Sequence, residues 1–181
     1  YRAPSAVQDS FFALMVLDSL LTGPASLAMF GGGSISNKTS RLYQQVVEKD
    51  QAASVSGSLQ ATIDPYLYEM MFILSPSQSV ERVQNLVDEE IDRVQNDLVN
   101  PEEIERAVKQ AKAMFAYGRE NTTNQAFWMG FAAMFADHSW FDTYIRNLEA
   151  VSREDVRKAA REYLDPKRRV IGTFIPRASG S

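Results

Sequence analysis

The spacing of apolar side chains changes once in the middle of the chain, and this change limits the possible folds more than any other feature. Residues 31–74 read GGGSISNKTSRLYQQVVEKDQAASVSGSLQATIDPYLYEMMFIL. After the glycine-rich opening, Leu42, Val46 and Val47 lie at helical spacing and form an inward stripe. Asn37 or Ser40 can cap that helix. From Ala53 the period becomes two. Ala53, Val55, Gly57, Leu59 and Ala61 share one face, and Ser54, Ser56, Ser58 and Gln60 the other. Asp64-Pro65 makes the turn. On the return strand Tyr66, Tyr68, Met70, Phe72 and Leu74 share a face opposite Leu67, Met71 and Ile73. A helix feeding a long hairpin is the centre of an α+β domain.

Helices surround this centre. Ser5 to Thr22 reads as a first helix, opened by a Ser5/Gln8 capping box and apolar around much of its circumference, which predicts burial. Gly23-Pro24 stops it. Past the hairpin, Val80, Val83, Val87, Ile91, Val94 and Leu98 mark an amphipathic helix. Its charges Glu81, Arg82, Asp88, Glu89, Asp92 and Arg93 read as a solvated face. Asn100-Pro101-Glu102-Glu103 opens another helix, lined by Ile104, Ala107, Val108, Ala111 and Phe115. Residues 125–136 and Trp140, Phe141 and Tyr144 form an aromatic stretch. It reads first as core packing, with an interdomain seam or chamber wall as the alternative. Ser152 and Asp155 cap a last helix, Asp165-Pro166 ends it, and Arg169 to Ile175 reads as a final strand.

These residues carry a resemblance. SRLYQQVVEKDQAAS resembles the segment of insulinase-type (pitrilysin, processing-peptidase) zinc proteases that commonly reads S-R-L-[FY]-x-x-L-R-[ED]-K-x-x-L-A-Y. The matches are Ser40, Arg41, Leu42, Tyr43, Glu48, Lys49 and Ala53. The preceding GGG resembles the loop these proteins carry before that helix, and LDPKRRVIGTFIP the way their domains close. The resemblance implies an α+β fold of the processing-peptidase (LuxS/MPP-like metallohydrolase) kind. Such a fold is a two-layer sandwich of a mainly antiparallel sheet with helices on one face. The sheet would hold Ala52–Ile63, Tyr66–Leu74, Arg169–Ile175 and the tail of a strand ending near Tyr1.

The catalytic centre of that family uses an H-x-x-E-H helix and a distal Glu to hold zinc and activate water. This sequence has one histidine, His138, and no cysteine, so it cannot build that site. A nucleophile system lacks its base as well. The resemblance therefore implies the C-terminal, non-catalytic domain, similar to bacterial processing-peptidase-like proteins. No cofactor is expected in this chain, and zinc is expected in the partner domain. The expected partners are a catalytic zinc domain of the same or a sister polypeptide and a peptide substrate, with a homodimer possible through an open sheet edge. In many relatives an Arg and a Tyr at the helix-to-strand junction reach toward substrate. The corresponding places here hold Val47, which has no charge, and Ser54, which can donate one short hydrogen bond. Arg41, Tyr43, Ser54 and Asn124 are the candidates for a substrate chamber or interface.

Composition narrows the rest. With 181 residues and 45% apolar content the chain suits one domain, residues 1–176, followed by a polar tail, 177–181. A start at Tyr1, inside a strand, reads as a piece of a longer protein. The net charge of −4 gives no case for nucleic acid or an anionic membrane. Asp18, Gly23 and Pro24 interrupt the apolar run from Phe11 to Phe30, so no membrane span is expected. A structural assembly subunit related to the core proteins of respiratory complexes is the rival reading, and a strand-adding peptide module is the third.

Overall fold

A computed structural model describes residues 1–30, 36–76 and 78–175, with the backbone alone for 28–30. The glycine loop Gly31, Gly32, Gly33 and the tail 177–181 lie outside the described residues. Six helices and one hairpin follow in order: α1 Ser10–Leu21, β1 Ala52–Leu59, β2 Tyr68–Leu74, α2 Val80–Asn96, α3 Pro101–Gly118, α4 Thr122–Phe135, α5 His138–Glu149 and α6 Arg153–Tyr163. A 3-10 segment at Pro24–Phe30 follows α1, and a π-helical turn at Tyr43–Val47 precedes β1. The fold is α+β, as expected, with an antiparallel hairpin carrying its helices on one face.

The α1 helix is the centre of the packing. Every residue from Phe11 to Leu21 is buried, because α1 has neighbours on all sides: the hairpin, α3, α5 and α6. An all-apolar circumference suits that position. Gln8 accepts from the Ser5 amide at 2.8 Å, so half of the expected capping box forms, on a turn ahead of the helix. Gly23 ends α1 at φ 111°, where a side chain would be strained and would meet Asn37. The α3 and α6 capping boxes, at Asn100/Glu103 and Ser152/Asp155, form in full.

Asp18 is the charged exception inside α1, and four elements meet on it. Its carboxylate accepts hydrogen bonds from Thr22 Oγ1 at 2.6 Å, from Tyr68 of β2 at 2.7 Å, and from Ser26. Ser26 also accepts from the Leu59 amide of β1 at 3.1 Å. A buried carboxylate is tolerated only with its lone pairs filled, and three hydroxyls fill them. Burial still pushes the Asp18 pKa up, outweighing the three hydroxyls that pull it down. The folded-state value lies above the unfolded one, so this contribution to stability is present at low pH and is lost as pH rises through the folded value.

Sequence and structure differ at several places: α1 starts at Ser10 rather than Ser5, and β1 Ala52–Leu59 and β2 Tyr68–Leu74 are shorter than the expected Ala52–Ile63 and Tyr66–Leu74. A β-bulge between Ala52 and Ser54 shifts the start of β1 by one residue, so Ala52 is buried and Ala53 exposed. Asn37 and Ser40 do not cap the next helix. Asn37 instead donates to Val55 O at 2.9 Å and Thr22 O at 3.3 Å, and the Ser40 hydroxyl is buried with no partner among the described residues. The expected strand Arg169–Ile175 joins no ladder among the described residues: no strand lies beside it, and a strand exists only by pairing.

Gly57 allows β1 to lie against the Asp18 cluster, since a Cβ there would overlap Asp18 Oδ1 and Thr22 Oγ1. Gly57→Ala is expected to lower stability by about 2–3 kcal/mol through overpacking. Gly130→Ala, in open space on α4, is expected to raise it by about 0.5–1 kcal/mol. Urea midpoints of the two variants check the pair, and an unperturbed Gly57→Ala would show that the close approach is not tight.

Candidate functional site

The junction between the π-helical turn and β1 is the place to look, since three of the four candidate residues lie there. Arg41 precedes the turn, is partly buried, and is fully committed. Its Nε and Nη2 donate to the two carboxylate oxygens of Glu103 at 2.8 and 2.7 Å, and its Nη1 donates to Glu90 at 3.0 Å. Glu90, 3% exposed, is completed by Arg93 Nη1 at 2.8 Å. The cluster ties the junction to α2 and to the first turn of α3. Glu103 serves twice, since its Oε2 also accepts from the Asn100 amide at 3.0 Å as the return half of the α3 capping box.

The electrostatics follow from this arrangement. Burial raises the Glu103 pKa, but the Arg41 fork and the Asn100 amide outweigh it and hold the carboxyl below its ordinary range. Hydrogen bonding to Glu103 likewise raises Arg41 against the opposing burial. No charge in this cluster is left over for a ligand.

The other candidates separate. Tyr43 is half-buried against the core, Val47 is half-buried, and Ser54 stands exposed on the outer side of β1. Asn124 is exposed near the start of α4, whose main neighbour is α5, away from the junction. Its amide donates to Asn121 Oδ1 at 2.8 Å, so it belongs to a helix cap. The structure thus brings Arg41, Tyr43 and Ser54 to one region and leaves Asn124 elsewhere. Sequence reasoning missed Glu90 as Arg41's acid, and it missed the pairing of Asp88 with Arg169. The position of Glu90, one residue ahead of Ile91 on the buried stripe, was the available signal.

Among the described residues no three side chains of the His, Cys, Asp and Glu types converge as metal ligands. With one histidine in the whole sequence, the residues present do not fit a zinc ion. A concavity of about 480 Å³ lies between the entry to α1, α5 and α6. Its lining includes the apolar Phe12 and Trp140 and the charged Asp9, Asp137, Lys158 and Glu162. It contains none of the four candidate residues.

Some of the surface this chain presents outward is apolar. In the aromatic stretch, Phe135, Trp140, Phe141 and Tyr144 pack in the core as expected, with Phe135 edge-on to Trp140 at 5.0 Å between centroids. Phe127 and Met134 of α4 do not: they are 60% and 72% exposed. Met71 and Ile73 on the outer face of the hairpin are exposed too. No helix among the described residues is long and apolar enough to cross a membrane.

A family model described as the peptidase M16 inactive domain matches residues 1–111, which carry the whole junction, the hairpin and the Arg41 cluster. The chain belongs to the peptidase M16 inactive-domain family. Solved structures share this fold at low identity. A candidate zinc protease from Bordetella pertussis Tohama I superposes with a TM-score of 0.81 at 21% identity, over 97% of this chain and 90% of that one. The inactive peptidase domain of a candidate zinc protease from Bordetella parapertussis gives 0.80 at 18% identity, covering 99% and 91%. A chain of complex III2 from Candida albicans gives 0.65 at 12% identity, covering 89% and 38%. The domain spans most of the two Bordetella chains and about a third of others, such as a Helicobacter pylori protease of which it covers 37%. None of the curated proteins matches the sequence.

In this M16 inactive domain Arg41 acts as a brace. Arg41→Met leaves Glu103 and half of Glu90 buried without a cation, with an expected loss of about 3 kcal/mol. Arg41→Lys is expected to restore less than half of it, because an ammonium cannot make the two-pronged contact. Glu103's depressed pKa stabilises the fold above the ordinary carboxylate range and is lost as pH falls through the folded value. Urea midpoints against pH should therefore show a shallower acid decline in Arg41→Met than in the unaltered chain.

Proposed function

We propose that this chain is the non-catalytic partner domain of an insulinase-like zinc metalloendopeptidase. It packs against a zinc-bearing domain and forms one wall of the peptide chamber. The observation that carries the reading is the combination of an M16 inactive-domain match with a sequence holding one histidine, too few for the family's two-His ligand set. Hydrolysis then resides in the zinc-bearing domain, of the same or a sister polypeptide, and this domain contributes shape. The exposed apolar residues of α4 and of the hairpin's outer face supply surface that a partner can dehydrate.

Within this reading Tyr43 and Ser54 belong to the chamber side, with Ser54's hydroxyl free to hydrogen-bond an extended peptide. Arg41 supports that side from beneath by fixing the junction to α2 and α3. Asn124 belongs to an interface at the start of α4. Residues 1–176 form one zinc-free unit and 177–181 a tail.

A second reading, a structural assembly subunit without proteolysis, draws on the likeness to the Candida albicans complex III2 chain, which shows the shared fold alone. A peptidase assay separates the two. The purified chain is expected to cleave no unfolded peptide with or without added zinc, and the assembly with its zinc-bearing partner is expected to cleave and to lose activity to a chelator. Cleavage by the purified chain with zinc overturns the first reading. A stable assembly that never cleaves favours the second.

A further inference from the structure

Helix α4 carries a face that its own fold does not use. From Thr122 to Phe135 it holds no Asp, Glu, Lys or Arg. Its inner side is Ala132 and Phe135, which are buried, with Trp128 and Phe131 half-buried beside them. On the 3.6-residue period the opposite side is Ala126, Phe127, Gly130, Ala133 and Met134, and all five are exposed. The Phe127 ring rests on Trp128 and Phe131, with centroids 4.8 and 6.3 Å apart, so it is held in place at the surface. Gly130 stands at the middle of this face, where an added Cβ would meet nothing within 4 Å. Glycine weakens a helix interior, and no described contact within the chain requires one here.

The face is complementary to itself. Ala126 and Ala133 are separated by two turns, and so are Phe127 and Met134, with Gly130 between them. The two alanines therefore run along one side of the face, and Phe127 and Met134 along the other. Set two copies of α4 antiparallel about a two-fold axis at Gly130. Phe127 of each copy then meets Met134 of the other, Ala126 meets Ala133, and the two glycines face each other at the crossing. With no side chain at that point the helices can approach closer than the usual spacing of about 8–10 Å. Antiparallel helix dipoles attract, and no charge on either face opposes the contact.

We propose that the exposed face of α4 docks a second copy of this chain, α4 against α4, about a two-fold axis at Gly130. This goes beyond the partner-domain reading and does not depend on it. The hairpin packs on α1, α1 on α5, and α5 on α4. A neighbour seated on the outer face of the hairpin therefore has these helical layers between it and α4, and it leaves the α4 face open. A lipid surface fits less well, because helices that lie on membranes carry Lys and Arg on their polar side and α4 has neither. The helix is about 21 Å long and about 10 Å across. Pairing two such faces removes on the order of 1,000 Å² from water over both copies, at the small end of specific interfaces. The contact is thus weak and reversible.

Sedimentation velocity across a concentration series tests the assignment. The mass of the full chain is expected to climb from one copy toward two, half-way on the order of 10–100 μM as suits so small an interface. Phe127→Lys and Met134→Lys are each expected to weaken the pairing about tenfold or more, with urea midpoints unchanged because both sites are exposed. The chain has no cysteine, so Gly130→Cys gives a direct readout: mild oxidation is expected to join two copies through residue 130, and adding Met134→Lys to prevent it. Ser56→Cys, exposed on the hairpin, is the control expected to stay unjoined. A mass of one copy up to about 1 mM overturns the proposal, as does a dimer that both lysine variants leave intact. If the chain stays single and the lysine variants lose co-purification with the zinc-bearing polypeptide, the face belongs to that polypeptide and the proposal is overturned. None of these outcomes bears on the peptidase assay, which tests the partner-domain reading separately.

Discussion

The structure depends on a carboxylate placed where water cannot reach it. Asp18 sits on a helix with no solvent side, so the charge must be solvated by the protein. Thr22 is one turn along the same helix and is on hand by periodicity alone. Ser26 requires the Gly23 bend and the 3-10 segment that follows it. Tyr68 requires the hairpin register that faces its ring inward, and Gly57 requires a strand position without a side chain. Each element supplies one donor or one clearance, and none satisfies the carboxylate alone. A polar cluster of this kind fixes the relative placement of helix and hairpin more narrowly than apolar contact could, because hydrogen bonds are intolerant of sliding.

The Arg41 cluster does the same one layer out. Glu103 completes both the α3 cap and the Arg41 fork, so the start of α3 is tied to the junction. Glu90 and Arg93 extend the tie along α2. The segment that most resembles the insulinase-type family is thus also one of the two places where the fold is held electrostatically. In this chain its arginine is consumed by structure, whatever its neighbours Tyr43 and Ser54 do.

Helix positions and the hairpin were legible because their signals are local. The two capping boxes at Asn100 and Ser152, the stripe Val83, Val87, Ile91 and Val94, and the Tyr68, Met70, Phe72 alternation need no distant partner to read. Apart from the start of α1, set at Ser10 rather than Ser5, the main misses were non-local. A bulge at Ala52/Ser54 depends on how β1 meets β2. Asn37 was diverted from capping by carbonyls at Thr22 and Val55, eighteen or fewer residues away in sequence but on other elements. Asp18 was visible as a charge in an apolar run, yet its three hydroxyl partners come from three different elements. The 170–175 strand failed to form although its composition is right, because a strand is a property of a pair. For the candidate site, the one histidine was decisive from the sequence, while the commitment of Arg41 to two acids needed coordinates.

The division between interior and perimeter bears on what the domain can do. Its inward-facing charges already have partners: Arg41 pairs with Glu90 and Glu103, Arg169 with Asp88, and Asp18 accepts from three hydroxyls. Chemistry requires a charge or a lone pair whose partner is the substrate, and these groups have already spent theirs. On the outer surface, beside the solvated charges, Phe127, Met134, Met71, Ile73, Val170 and Phe174 stand in water, and the edge of β2 beyond Tyr68 lacks partners among the described residues. Dehydrating these side chains yields roughly 25 cal/mol per Å², and pairing the free ladder groups removes the liability of an open edge. Both gains are realised by association and neither by catalysis.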